Sequence, residues 1–146
     1  MLEPFQYIRF FQEFGIGDVP SVGGKNASLG EMYRELTPRG VRIPNGFAIT
    51  AKAYRYVLER AGVVPQLRET LAGLRPDNVE DLSRRGLQAR ELVYAAPLPD
   101  DLREEILLAY RALREEYGSQ LSVAVRSSAT AEDLPDVSFA GMHDPS

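Results

Sequence analysis

A change of hydrophobic period at Gly118 is the feature of the sequence that most constrains the fold. Upstream of this glycine, apolar side chains recur every three or four residues, which is the spacing of one helix face. They are Leu102, Ile106, Ala109, Tyr110, Leu113 and Tyr117. Downstream, Val123 and Val125 alternate with other residues, as on one face of a short strand. Because one chain carries both periods, the sequence predicts an α+β fold in which a small sheet packs with helices.

The rest of the chain divides at glycines and prolines into further elements. Apolar β-prone runs predict strands, and apolar stripes at helical spacing predict helices. The predicted elements are strands at Tyr7–Phe11 and Pro44–Ile49, a helix from Asn26 to Leu36, a helix from a Thr50 cap to a stop at Gly62, and a helix carrying Val79, Leu82, Ala89 and Val93. Pro97 and Pro99 separate this last helix from the 102–117 stripe, so we expect a helical hairpin there.

Composition excludes several classes of function. The chain has 146 residues, with 17 Lys and Arg against 21 Asp and Glu, which gives a net charge of −4. This balance argues against nucleic-acid and membrane partners, and no apolar run approaches the roughly 20 residues of a bilayer span. Cysteine is absent, which removes disulfides, thiolate zinc sites and cysteine nucleophiles. We therefore expect a cytoplasmic protein in which a few local cations hold any anionic ligand.

The first candidate site follows a glycine pair. Gly23 and Gly24 permit close approach of the main chain to a ligand, the following helix presents unpaired amides, and Lys25 adds a mobile positive charge. Phosphate fits this arrangement, although the block is not a Walker A loop, because Asn26 replaces the magnesium-binding hydroxyl residue. It is not a dinucleotide fingerprint either, since Pro20 stands where the third glycine is needed. A glycine turn with a solvated lysine is the alternative.

The second candidate site follows the predicted strand at 123–125. Arg126 leaves the end of this strand and is followed by three hydroxyl residues, Ser127, Ser128 and Thr130. A guanidinium and several hydroxyl donors can bind phosphate oxygens. The alternative is that Arg126 pairs with Glu132 or Asp133. Together with Asp136, these carboxylates are also candidates for a magnesium site, but acidic turns are more often simply solvated.

Three blocks in this order resemble a known family. They are GGKNASLGEM at Gly23–Met32, IPNGFAITAKAYRYVL at Ile43–Leu58 and VAVRSSATAEDLPDVSFAGM at Val123–Met142. Together they are similar to the N-terminal nucleotide-binding region of the phosphoenolpyruvate synthases, or pyruvate, water dikinases. Pyruvate phosphate dikinase and rifampicin phosphotransferase share this module. The resemblance implies that residues 1–146 form the first part of an ATP-grasp domain, with ATP and Mg²⁺ as its cofactors.

The resemblance also assigns roles to individual residues. It implies that Lys25 and Arg126 contact the ATP phosphates, with Ser127, Ser128 and Thr130 as weaker candidates. Gly141 belongs to a segment expected to lie over the phosphates. No catalytic residue or metal ligand is assigned in this chain, and His143 is interpreted as an exposed residue. The magnesium ligands, the adenine pocket and the second half of the ATP-grasp unit are expected mostly outside it.

In the family, ATP phosphorylates a histidine on a separate domain, which carries the phosphoryl group to pyruvate, while water takes the other phosphate. The expected partners are therefore the remaining dikinase domains or a complementing chain, and we do not expect this chain alone to be catalytically competent. An exposed edge at Val123–Val125 also makes a homo-oligomer possible. Two alternatives stay open: a non-catalytic interaction module derived from this family, and part of an enzyme of the rifampicin phosphotransferase type.

Overall fold

The computed structural model describes residues 5–130, in which six helices accompany a single two-stranded sheet. The helices are α1 (Val19–Val22), α2 (Gly24–Leu36), α3 (Ala51–Ala61), α4 (Val64–Leu71), α5 (Val79–Ala95) and α6 (Asp100–Tyr117). Short 3₁₀ turns occupy Phe11–Glu13, Ile16–Asp18 and Thr37–Arg39. The described residues form two compact units: 5–53 together with 104–130, and Tyr54–Arg103.

The sheet joins two segments that the sequence predicted as strands. Strand β1 (Ile8–Phe10) pairs antiparallel with β2 (Phe47–Ile49), with Arg9 opposite Ala48. Both strands are shorter than the predicted runs but lie within them, which confirms the two assignments. The backbone amide of Thr50 extends the pairing by donating to the Tyr7 carbonyl at 3.0 Å.

The core of the first unit lies between α2 and the aromatic N-terminal segment. Phe14, Val22, Ala27 and Ala48 form one buried cluster. Gly30 allows Phe14 to lie against α2, because a Cβ at position 30 would lie 2.5 Å from the Phe14 carbonyl oxygen. The buried side of α2 consequently consists of small residues. Met32, a large apolar residue of the same helix, is 43% exposed.

Helix α6 is held to the N-terminal segment by a buried carboxylate. Leu102, Ala109 and Leu113 are buried as the apolar stripe predicted, and Glu105 is buried with them. The Glu105 carboxylate accepts hydrogen bonds from the backbone amides of Gln6 and Tyr7. Since charged groups are rarely buried without partners, these two bonds explain how the stripe accommodates Glu105.

The second unit is built mainly from α4 and α5, which pack against each other. Asn78 caps α5 by accepting a hydrogen bond from the Asp81 amide at 3.1 Å. Asp81 in turn pairs with Arg84 and Arg85, and Arg85 also donates to the Ala72 carbonyl. The predicted hairpin of α5 with α6 stays a prediction, because most of α6 belongs to the other unit.

The predicted strand at 123–125 is wrong. Residues 121–129 have no regular secondary structure, and Val125 is 93% exposed. A strand needs a neighbour to accept and donate its ladder hydrogen bonds, and the described sheet contains β1 and β2 alone. The alternating valines favour a strand, but no neighbouring strand pairs with them within the described part of the chain.

The remaining boundaries agree well with the sequence. Helix α3 follows Thr50, whose hydroxyl accepts a long hydrogen bond of 3.4 Å from the Ala53 amide, and it ends before Gly62. Helix α6 ends before Gly118, and α2 begins at Gly24 rather than at Asn26. The α+β class is thus confirmed. No helix in the described range is long and apolar enough to cross a membrane.

Candidate phosphate-binding site

A glycine turn separates α1 from α2 and defines the first half of the candidate site. The Gly23 amide donates to the Val19 carbonyl at 2.8 Å and completes α1, while the Gly23 carbonyl accepts from the Ala27 amide at 2.9 Å and opens α2. Between these bonds the backbone of Gly23 has φ = 87° and ψ = 162°. Positive φ of this kind strongly favours glycine, which is why the chain can reverse here within one residue.

The turn leaves the first amides of α2 without helical partners. Residues at the start of a helix have no carbonyl four positions earlier in the same helix, and this applies to Gly24, Lys25 and Asn26. The Asn26 side chain donates to the Val22 carbonyl at 2.8 Å and so closes the turn. Lys25 is exposed. The amides of Lys25 and Asn26, the positive end of the helix dipole and the lysine side chain together suit an anion.

The second block lies directly on this turn. The Ser128 hydroxyl donates to the Val22 carbonyl at 3.0 Å, across 106 positions of sequence. The Gly24 amide also points to the Ala129 carbonyl, at 3.5 Å. Gly23 leaves the space that this approach requires, because a Cβ there would overlap the Ser128 hydroxyl oxygen and lie 3.2 Å from the Ala129 carbonyl oxygen.

The contact brings the two predicted cations into the same neighbourhood. Lys25 lies two residues after Gly23, and Arg126 lies two residues before Ser128. Two residues of extended chain span at most about 7 Å, so both backbones are within a short distance of the contact. Arg126 is exposed, as are Ser127 and Thr130.

The cations have no carboxylate partner in the described part of the chain. The ion pairs found there join Arg75, Arg84 and Arg85 to aspartates of the second unit, and none includes Lys25 or Arg126. The alternative pairing of Arg126 with an acidic residue at 132–136 lies outside the described residues, and so does the Gly141 segment. Within residues 5–130, no three acidic or histidine side chains converge as a metal site would require.

Two grooves of the described residues lie away from the two sequence blocks. One of about 450 Å³ runs between α4 and α5, lined by Glu69 and Glu91 among others. Another of about 290 Å³ lies at the end of α6, beside Arg111 and Arg114. Neither is lined by a residue of the two blocks, so the candidate site rests on their cationic and amide donors and not on either groove.

A comparison with known protein families matches most of the chain. Residues 19–145 match the family model described as pyruvate phosphate dikinase, AMP/ATP-binding domain. The chain belongs to this family. The matched range contains both blocks that meet at Gly23, and it includes the whole of the described segment after α6.

Individual members of the family are similar over nearly the whole chain. A phosphoenolpyruvate synthase of Helicobacter pylori is 50% identical over 140 residues, covering 95% of this chain and 17% of the relative. Those of Aquifex aeolicus and Synechocystis are 49% and 48% identical, each over 94% of this chain and 16% and 17% of the relative. The chain thus spans about a sixth of the length of these relatives.

Two parts of the site in this dikinase-family domain were missed by sequence reasoning. The Asn26 side chain was noted only for replacing a hydroxyl, although its bond to the Val22 carbonyl shapes the turn. The contribution of Ala129 comes from its main chain. An asparagine in the first turn of a helix is a recognisable signal for the former, since short polar side chains bond nearby backbone groups. Backbone atoms of an alanine carry no such signal.

Proposed function

We propose that this chain forms part of the ATP-binding surface of a phosphoenolpyruvate synthase, within an ATP-grasp domain. The observation that carries the proposal is the hydrogen bond from Ser128 to the Val22 carbonyl, because it unites the two blocks whose residues have phosphate-binding chemistry. A triphosphate is the ligand that best matches two cations and the amides of Lys25 and Asn26.

Each group has a distinct part in this proposal. The amides of Lys25 and Asn26 donate to the non-bridging oxygens of one phosphate, and the Lys25 side chain adds a positive charge on a flexible stem. Arg126 offers two parallel donors from the other block. Charge stabilisation of the transferring group is the main contribution of a protein to phosphoryl transfer, and these side chains supply it.

The donor set also limits what the described residues can do. Amides, a lysine and an arginine fit the phosphates of ATP, but Mg²⁺ requires oxygen ligands that do not converge among residues 5–130. We therefore assign no step to the metal here. The adenine contacts, the carrier histidine and the pyruvate site are proposed to lie in the parts of the synthase that this chain does not span.

The proposed reaction is that of the named relatives' class: ATP, pyruvate and water give AMP, phosphoenolpyruvate and phosphate. Identity near 50% to three phosphoenolpyruvate synthases favours this acceptor over an antibiotic. The role of this chain is to hold the triphosphate while another domain accepts the phosphoryl group.

The test is calorimetric titration of the chain with Mg-ATP and with AMP. Lys25→Ala and Arg126→Ala should each weaken ATP binding about ten-fold or more, since a hydrogen bond between charged groups contributes about 1.5 to 3 kcal/mol. AMP binding should change much less, because AMP lacks the outer phosphates. Arg42→Ala removes an exposed cation outside the two meeting segments and serves as the matched control. Unchanged ATP affinity in both site variants would overturn the assignment.

A further inference from the structure

We infer that Ser128 is a positioning residue for Arg126, which it fastens to the glycine turn, and that its hydroxyl is not a phosphate ligand. The inference builds on the proposed function, in which Arg126 contacts the phosphates. It concerns a residue that motif reasoning places among the weaker phosphate contacts. The hydrogen bonds at the glycine turn distinguish a phosphate ligand from a positioning residue.

A serine hydroxyl has a single proton to donate. Ser128 donates it to the Val22 carbonyl at 3.0 Å. An ionised phosphate oxygen accepts hydrogen bonds and has none to give, so it requires that same proton. Phosphate binding by Ser128 would therefore break the bond that joins the two blocks. The same carbonyl also accepts the Asn26 side-chain amide at 2.8 Å, so both of its lone pairs are used.

Among residues 5–130, few other contacts hold the segment around Arg126. Residues 121–129 lack regular secondary structure, and Val123 and Val125 are largely exposed. Between residues 122 and 130, the described hydrogen bonds are the one from Ser128 and a 3.5 Å contact between the Gly24 amide and the Ala129 carbonyl. Because a segment with few contacts opens easily, the hydroxyl of Ser128 controls where Arg126 is held.

Gly23 is also needed for the contact between Ser128 and the glycine turn. A Cβ at this position would overlap the Ser128 hydroxyl oxygen and lie 3.0 Å from the Ser128 Cβ. The glycine is thus required for the approach of the second block as well as for its own positive φ of 87°. Gly23→Ala should displace the segment that carries Arg126 even where α2 still forms.

Limited trypsin digestion without nucleotide tests whether the segment is fastened. Trypsin cuts after exposed arginines, and the bond after Arg126 should be cut about five-fold faster in Ser128→Ala, as expected for the loss of one hydrogen bond. Ser122→Ala is the matched control, an exposed serine of the same segment. Rates are referred to cleavage after Arg42 in the same sample and to synthetic peptides spanning 121–131 of each variant. Equal rates for the two variants would overturn the fastening.

A double-mutant cycle on Mg-ATP affinity tests the link to Arg126. If Ser128 acts through Arg126, Ser128→Ala should weaken binding several-fold in the wild-type chain and scarcely at all in Arg126→Ala. A direct phosphate contact, or a general loss of stability, gives the same factor in both backgrounds and would overturn the positioning role. Melting temperatures of the single variants should stay close to that of the wild type.

The two experiments separate this inference from the proposed function. If the chain does not bind ATP, the proposed function fails, while digestion without nucleotide still shows whether Ser128 holds the segment. If ATP binds and Ser128→Ala changes neither the digestion rate nor the affinity, the proposed function stands and the positioning role is wrong.

Discussion

Different kinds of contact stabilise the interior of each of the two units of the molecule. In the first, hydrogen bonds join residues that are far apart in sequence: Glu105 to Gln6 over 99 positions and Ser128 to Val22 over 106. In the second, the ion pairs of Asp81 reach three and four residues along one helix. The candidate site belongs to the first unit, so its geometry depends on tertiary contacts more than on local ones.

This difference teaches where a substitution should matter. A residue that joins distant segments stabilises many others at once, whereas a pair along one helix contributes a small local increment. Substitutions in the first unit should therefore cost more than chemically similar ones in the second. Hydrogen exchange measured peptide by peptide reports each unit separately, which a single melting curve does not.

The largest effect is expected for Glu105→Ala. The substitution removes the acceptor of the buried Tyr7 amide and of the amide of Gln6, an exposed residue, and hydrogen bonds to a charged group contribute about 1.5 to 3 kcal/mol each. We expect a loss of about 3 kcal/mol, seen as faster exchange in β1 and in the 104–117 part of α6.

Glu105→Gln is the informative companion, because it keeps an acceptor oxygen and removes the charge. It should retain most of the protection of the Gln6 and Tyr7 amides. Glu104→Ala, an exposed neighbour on the same helix, is the control for the loss of a carboxylate. If Glu105→Ala and Glu104→Ala have equal effects, the contrast between long-range and local contacts breaks down.

The next prediction concerns replacement of a helical glycine by alanine, which should destabilise the first unit and stabilise the second. Replacing glycine by alanine inside a helix usually stabilises by about 1 kcal/mol. At Gly30 the new Cβ would lie 2.5 Å from the Phe14 carbonyl oxygen, so Gly30→Ala should instead destabilise by about 1 to 3 kcal/mol. At Gly86 in α5 the nearest atom is the end of the Arg90 side chain at 3.7 Å.

Gly86→Ala is thus the matched control and should stabilise the second unit by about 1 kcal/mol. Urea unfolding of both variants beside the wild type, combined with exchange in α2 and α5, measures the two signs. Stabilisation by Gly30→Ala would show that Phe14 does not pack against α2 as described.

The contrast also explains how much of the fold the sequence could predict. Local patterns predict several features that the structure contains: the helix ends at Gly62 and Gly118, the cap at Thr50 and both strands of the sheet. The exposed Met32 and the irregular 121–129 segment do not follow, because each depends on what a distant segment provides. Hydrophobic periodicity shows which secondary structure a segment favours, but the segment forms and buries it only where another part of the chain pairs or packs with it.

The same limit applies to the candidate site. Glycines, a lysine and an arginine with hydroxyl neighbours point to phosphate by residue type alone, and the two blocks do meet at Gly23. Their meeting through a serine proton and a backbone carbonyl is invisible in the sequence, since carbonyls belong to every residue. Glu105 was detectable in principle, as a carboxylate in line with Leu102 and Ala109 on an otherwise apolar helix face.

The smallest effect is expected for the pH dependence of α5. A hydrogen bond from Arg84, with the nearby charge of Arg85, holds the pKa of Asp81 below its ordinary value of 3.8. A carboxylate with a depressed pKa in the folded state stabilises fully at pH values above 3.8, and this stabilisation is lost as the pH falls through the lower folded pKa. Asp81→Asn should therefore lower the urea midpoint at pH 7 and have little effect near pH 2.

Asp77→Asn provides the comparison, since the Arg75–Asp77 pair spans 3.7 Å between side chains that are both more than three-quarters exposed. Exposed pairs of this kind contribute little, so its midpoint should follow the wild type at both pH values. A difference for Asp81→Asn that persists unchanged to low pH would mean that the hydrogen bonds of the Asp81 side chain, not its charge, stabilise α5. Local ion pairs would then not explain the stability of the second unit, and the contrast with the first unit would have to be given up.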